Sequence, residues 1–168
     1  GSKSADIILR LDNADLAEDV DNVVKDFWEW GLSNKASRNR LSKHIVELRD
    51  TTKFRNFARF LKINNAYFEK CIEDLIARLD KSFRFQMHHD SITEKDILLF
   101  AELVKFKLIP VHMIFHKVRT LILNIEVNNN IDLLSLMFDA CGKVLVNDDE
   151  YKDYTKGLIQ LLVQVYKT

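Results

Sequence analysis

Apolar residues recur along this chain at i, i+3, i+4 and i+7, and alternation of period two is almost absent, so nearly every segment is predicted to be helical. Short polar stretches divide the pattern into about eight helices. Residues 14–30 carry Leu16, Val20, Val23, Val24, Phe27 and Trp30, and Gly31 follows as a C-terminal stop. Residues 34–49 carry Leu41, Ile45 and Leu48, and a short third helix over 51–62 carries Phe54, Phe57, Ala58 and Leu61. The longest stripe is Phe68, Cys71, Ile72, Leu75, Ile76, Leu79 and Phe83, which predicts a helix packed along one side. The pattern breaks over 85–90. Ser91 and Thr93, followed three residues later by Glu94 and Asp96, offer two capping boxes for a helix whose core face is Ile97, Phe100, Ala101, Val104 and Leu108. Pro110 fits the first turn of the next, with Ile114, Val118, Leu121 and Ile125. Asn128, Asn129 and Asn130 then supply a loop and a cap. Leu134, Met137, Phe138, Cys141 and Leu145 form another stripe, and the last runs through Tyr154, Leu158, Leu161, Leu162 and Val165.

Short loops between successive helices imply antiparallel neighbours, and helical pairs set side by side build either a bundle or an α-solenoid. The chain has no strict period of about 34 or 40 residues, so any repeat is degenerate in sequence. With 168 residues, 47% hydrophobic and 30% charged, it can bury a core of its own and does not belong to the disordered class. Four glycines and one proline are too few for the turns of an all-β domain. The expected organisation is a tag scar at 1–2, a flexible or extended lead-in over 3–13, and a single domain over 14–168. Cys71 and Cys141 sit in apolar stripes and read as core hydrophobes of a reducing compartment. No apolar run approaches the roughly 18 residues of a membrane span, and the N-terminus lacks a secretory pattern. A cytoplasmic protein without a membrane partner, monomeric when isolated, is expected.

Formal net charge is zero, yet the charges are segregated. Acids dominate from Asp6 to Asp21. Bases dominate from Lys35 to Lys62, where Lys35, Arg38, Arg40, Lys43, Arg49, Lys53, Arg55, Arg59 and Lys62 face only Glu47 and Asp50. Arg55, Arg59 and Lys62 fall at i, i+4 and i+7 opposite a Phe-rich face, and Arg38, Arg40 and Lys43 lie on the preceding helix. These six are the candidate contact residues, as a solvated face, a seat for an acidic protein or a clamp for RNA phosphates. Trp28 and Trp30 cannot both face one core, so one is free to anchor a neighbouring segment.

Other chemistry is thin. His112 and His116 have the i, i+4 spacing that can share zinc, but Met113 stands where a metalloprotease has Glu, and they read as surface residues. His88 and His89 read as solvated. No nucleophile elbow, Walker loop, dinucleotide fingerprint or C-x-x-C pair occurs, so no enzyme activity, metal or cofactor is expected.

The run from Leu99 through Glu102, Leu103 and Phe106 to Pro110, then 114–122, then Ile131 to Leu134 with Phe138 to Leu145 containing Cys141 and Gly142, resembles the middle-domain family of translation initiation factor 4G. Ala101 stands where that family usually has glycine. Asn34 to Leu41, Phe57 to Leu61 and Ser82 to Phe85 narrow the likeness to the second of three middle-domain repeats in the Up-frameshift scaffolds of nonsense-mediated mRNA decay. The resemblance covers about Asp15 to Lys167 in colinear order. It implies a HEAT-like α-solenoid of antiparallel helical pairs, no catalysis, and a scaffold role beside the Up-frameshift helicase and other Up-frameshift proteins, reached through neighbouring domains. RNA binding by the basic face is the alternative.

Overall fold

The computed structural model describes residues 2–88, 94–126 and 130–167, of which 2, 83–88 and 166–167 by backbone alone. Among the described residues there are nine α-helices and one 3-10 turn, with no strand: α1 (Ser2–Asn13), α2 (Ala17–Glu29), α3 (Lys35–Glu47), the 3-10 turn (Thr51–Lys53), α4 (Phe54–Ile63), α5 (Glu69–His88), α6 (Glu94–Lys105), α7 (Val111–Leu123), α8 (Asn130–Asn147) and α9 (Lys152–Lys167). The all-α class of paired helices expected from the periodicity is present. Two compact units divide the chain, 1–81 and 82–168, where one domain over 14–168 was expected.

In the first unit, α2 packs on α4, and α1 packs against α2, α3 and α4. The lead-in expected over 3–13 is corrected by this: it is helix α1, burying Ser4, Ile7 and Leu11. Ile7, Leu11 and Ala14 repeat at i, i+4 and i+7, and Asn56 Nδ2 on α4 donates to the carbonyls of Leu11 and Ala14, both at 2.9 Å. The Leu11 carbonyl lies in the last turn of α1, where it also receives the Ala14 N–H at 3.4 Å, and the Ala14 carbonyl lies just past the helix end. Leu16 is also corrected: it is the N-cap of α2 and 63% exposed, with its backbone N–H given to Asp19 at 3.0 Å. Gly31, with φ +64°, closes α2 through an N–H bond from Leu32 to the Phe27 carbonyl.

Asn34 caps α3 by accepting the Ser37 N–H at 2.9 Å. The expected third helix over 51–62 divides, because Asp50 caps a 3-10 turn before α4 begins at Phe54. Phe27, Phe60 and Phe68 form the aromatic centre of the core, with ring centroids 5.1–5.5 Å apart. Around it Leu75 and Leu79 of α5 are buried.

In the second unit α6 packs on α8, and α7 packs on α8 and α9. Ala101 on α6 is fully buried, so its methyl lies inside the packing. Asp96, also buried, accepts a hydrogen bond from Ser82 at 2.9 Å. Pro110 is the N-cap of α7, one step before the first turn, where its missing N–H costs nothing. Lys107, two residues past the end of α6, has φ +57° and pairs with Asp148, whose side chain also receives the Glu150 N–H at 2.9 Å. Ile125 and Phe138, expected in the core, are half-buried.

The stripe expected on the last helix is corrected in part: Leu158 is buried as expected, but the face around it differs. Tyr151, Thr155 and Leu158 form the buried face, while Tyr154 is 60% exposed and Leu161 and Leu162 are half-buried. Thr155 decides this register, because its hydroxyl donates to the Leu145 carbonyl at 2.7 Å and ties α9 to the end of α8. The side chains of Phe83, Phe85 and His88, and residues His89, Asp90, Ser91, Thr93, Asn128 and Asn129, lie outside the described residues.

Candidate functional site

The six candidate cations all lie on the first unit's α3 and α4, in different electrostatic settings. On α4 the buried face is Phe54, Phe57, Ala58, Phe60 and Leu61, which leaves Arg55 and Lys62 exposed and Arg59 half-buried on the other side. Arg59 reaches back to α2 and holds Asp21 with two bonds, Nε to Oδ1 and Nη2 to Oδ2, both at 3.1 Å. The shared hydrogen bonds raise the Arg59 pKa, so this guanidinium is charged and committed to the fold. Arg55 and Lys62 pair with no carboxylate among the described residues.

On α3, Arg38 is half-buried with its guanidinium 6.0 Å from the centre of the Tyr67 ring. Arg40 and Lys43 line a shallow groove against α1 together with Ala5, Ile8, Leu9, Asp12, His44 and Glu47. His44 Nε2 sits 3.0 Å from Asp12 Oδ1. The acids of α1 and α2 thus answer part of the basic segment at two points, Asp12 with His44 and Asp21 with Arg59, and leave Lys43, Arg55 and Lys62 to solvent or to a partner.

Two features were not legible in the periodicity. Trp28, 42% exposed, meets Tyr67 edge to face at 4.6 Å between centroids, and Arg38 stands over the same Tyr67. Tyr67 lies in the turn before α5, where no stripe marks it. Trp30, expected in the core, is half-exposed and takes Arg10 over its ring at 5.7 Å, while Arg10 also pairs with Asp26 at 2.6 Å. The second feature is an apolar edge on the second unit: Val146 of α8, with Ile159 and Val163 of α9, all about half exposed. Val146 and Ile159 line an open groove with Lys152, Asp153, Thr155 and Lys156.

His112 and His116 are both exposed on α7. Among the described residues no three His, Cys, Asp or Glu side chains gather as a metal site, and no helix is long and apolar enough to cross a membrane. Cys71 and Cys141 are buried free thiols, and burial pushes both pKa values up, that of Cys141 to about 12.

No protein-family model matches the chain. It is 39% identical over 152 residues to Nonsense-mediated mRNA decay protein 2 of Saccharomyces cerevisiae, which covers 90% of the chain and 14% of that protein. It is 27% identical over 168 residues to the protein of the same name in Schizosaccharomyces pombe, covering 96% of the chain and 16% of that protein. The chain therefore spans less than a fifth of the length of either relative.

Proposed function

We propose that this chain is a non-enzymatic scaffold module of nonsense-mediated mRNA decay, a HEAT-like middle domain of the initiation factor 4G type that acts through protein–protein contacts in the cytoplasm. The decay role is supported by the likeness to two fungal decay proteins across most of the chain. The mode of action is carried by one observation, the apolar edge of Val146, Ile159 and Val163. Aliphatic side chains left half in water on neighbouring helices gain when a partner covers them, at about 25 cal/mol per Å². The Up-frameshift helicase and other Up-frameshift proteins are the partners this reading implies, reached directly or through neighbouring domains.

The test is recovery of decay factors on the immobilised chain, wild type against Ile159→Asp with Val163→Asp. Both positions are solvent-facing, so the variant keeps the wild-type melt. Wild type retains its partner at 0.5 M salt, because an apolar contact responds little to counterions, and the double variant does not. Equal recovery by both removes this edge as the contact.

A second reading is favoured by Lys43, Arg55 and Lys62, which stand on the basic helices without carboxylate partners among the described residues. In it the first unit touches RNA phosphates, and affinity falls linearly in log–log salt plots.

A further inference from the structure

We propose that Trp28, backed by Tyr67 and Arg38, is a stacking platform for a base of single-stranded RNA, with Lys25, Lys35 and Lys70 supplying the phosphate contacts. The proposal rests on the RNA reading and names the residue on which a base would sit. Three planar groups from three parts of the first unit are arranged in sequence: the Arg38 guanidinium over the Tyr67 ring at 6.0 Å, Tyr67 against Trp28 at 4.6 Å, and the indole open to solvent. Each carries a lysine three residues away, Lys25 before Trp28, Lys35 before Arg38 and Lys70 after Tyr67. On α2 and α3 that spacing puts Lys25 with Trp28 and Lys35 with Arg38 on one face of the helix, while Lys70 stands on the first turn of α5, just after the turn that holds Tyr67. All three lysines are exposed, and none pairs with a carboxylate among the described residues.

The chemistry favours a nucleotide over a protein. A protein interface needs a contiguous apolar centre, whereas the exposed positions flanking Trp28 between 21 and 35 are, Gly31 apart, polar or charged: Asp21, Asn22, Lys25, Glu29, Ser33, Asn34 and Lys35. An exposed indole with lysines on the neighbouring turns is the combination that single-strand binders use, in which the ring takes a base face of any sequence and the cations take the backbone. Tyr67 holds the indole from the side, and Arg38 orients Tyr67, so the platform is set before a base arrives.

The experiment uses the whole chain with Trp30→Phe, which leaves Trp28 as its sole indole, titrated with a twelve-nucleotide oligouridine and followed by indole fluorescence and by anisotropy of labelled RNA. The expected result is saturable quenching, and affinity about tenfold weaker in Trp28→Ala and largely restored in Trp28→Phe. Thermal melts of the variants identify any loss that comes from unfolding, and Trp28→Phe keeps a stacking face if Trp28→Ala does not fold. RNA binding that is lost in the Arg55→Glu, Lys62→Glu variant but unchanged by Trp28→Ala overturns the platform and leaves the RNA reading standing. No binding at 0.15 M salt overturns both. Quenching by polyglutamate but not by oligouridine overturns the proposal in favour of an acidic protein.

Discussion

Arg59 and Lys62 stand three residues apart on one side of α4, and the fold uses only the first. Arg59 spans to Asp21 with two hydrogen bonds, so Arg59→Ala should lower stability by about 0.5 kcal/mol in urea denaturation, the scale of a half-exposed pair. Lys62→Ala should leave the midpoint unchanged. Leu75 is fully buried in the longest apolar stripe, and Leu75→Asp brings an unpaired carboxylate into that contact. A loss of about 4 kcal/mol or more is expected, enough to abolish a cooperative melt by circular dichroism; a variant melting near the wild-type temperature would contradict the assigned core face. Both thiols are buried with raised pKa values, so iodoacetamide at neutral pH should label the native chain slowly and the urea-unfolded chain at once.

At the scale of elements, α1 is the test of what periodicity can deliver. Leu11 is fully buried, and Leu11→Ala should cost about 3 kcal/mol in urea denaturation, whereas a flexible lead-in would lose nothing. Eight of the helices were legible because each repeats an apolar face over several turns. The signal in α1 was blurred by Ile8 and Leu9 beside Ile7, and its decisive contact, Asn56 to the Leu11 and Ala14 carbonyls, spans more than forty residues. The register of α9 escaped for a related reason: Thr155 is polar and buried through a hydroxyl bond to Leu145, which a hydrophobic pattern cannot announce. The cations of the candidate site were legible by spacing, but the carboxylate that answers Arg59 and the aromatic ring beneath Arg38 come from other elements.

The Lys107–Asp148 pair gives the junctions α6–α7 and α8–α9 a pH signature. The pair lowers the Asp148 pKa below 3.8, so its contribution is full above that value and is lost as pH falls through the lowered one. It raises the Lys107 pKa above 10.5, so the contribution is also lost as pH rises through the raised value. Asp148→Asn should therefore lower the melting temperature near neutral pH and converge with wild type in acid.

At the scale of the whole molecule, the chain keeps its chemistry on surfaces. Asp12 of α1 and Asp21 of acidic α2 answer part of basic α3 and α4, which leaves Lys43, Arg55 and Lys62 on the first unit without carboxylate partners among the described residues, while the second unit carries an apolar edge on α8 and α9. Two surfaces of opposite character suit a part whose work is to be touched by others. Their consequences also separate, since charge contacts weaken with salt and apolar ones hold. The most direct measurement is the half-life of a reporter mRNA carrying a premature stop codon, in cells whose full-length protein bears Ile159→Asp and Val163→Asp. The account predicts a reporter stabilised toward its stop-free counterpart, with the protein present at normal abundance. A reporter degraded as fast as in wild-type cells would contradict the claim that this edge serves the decay complex.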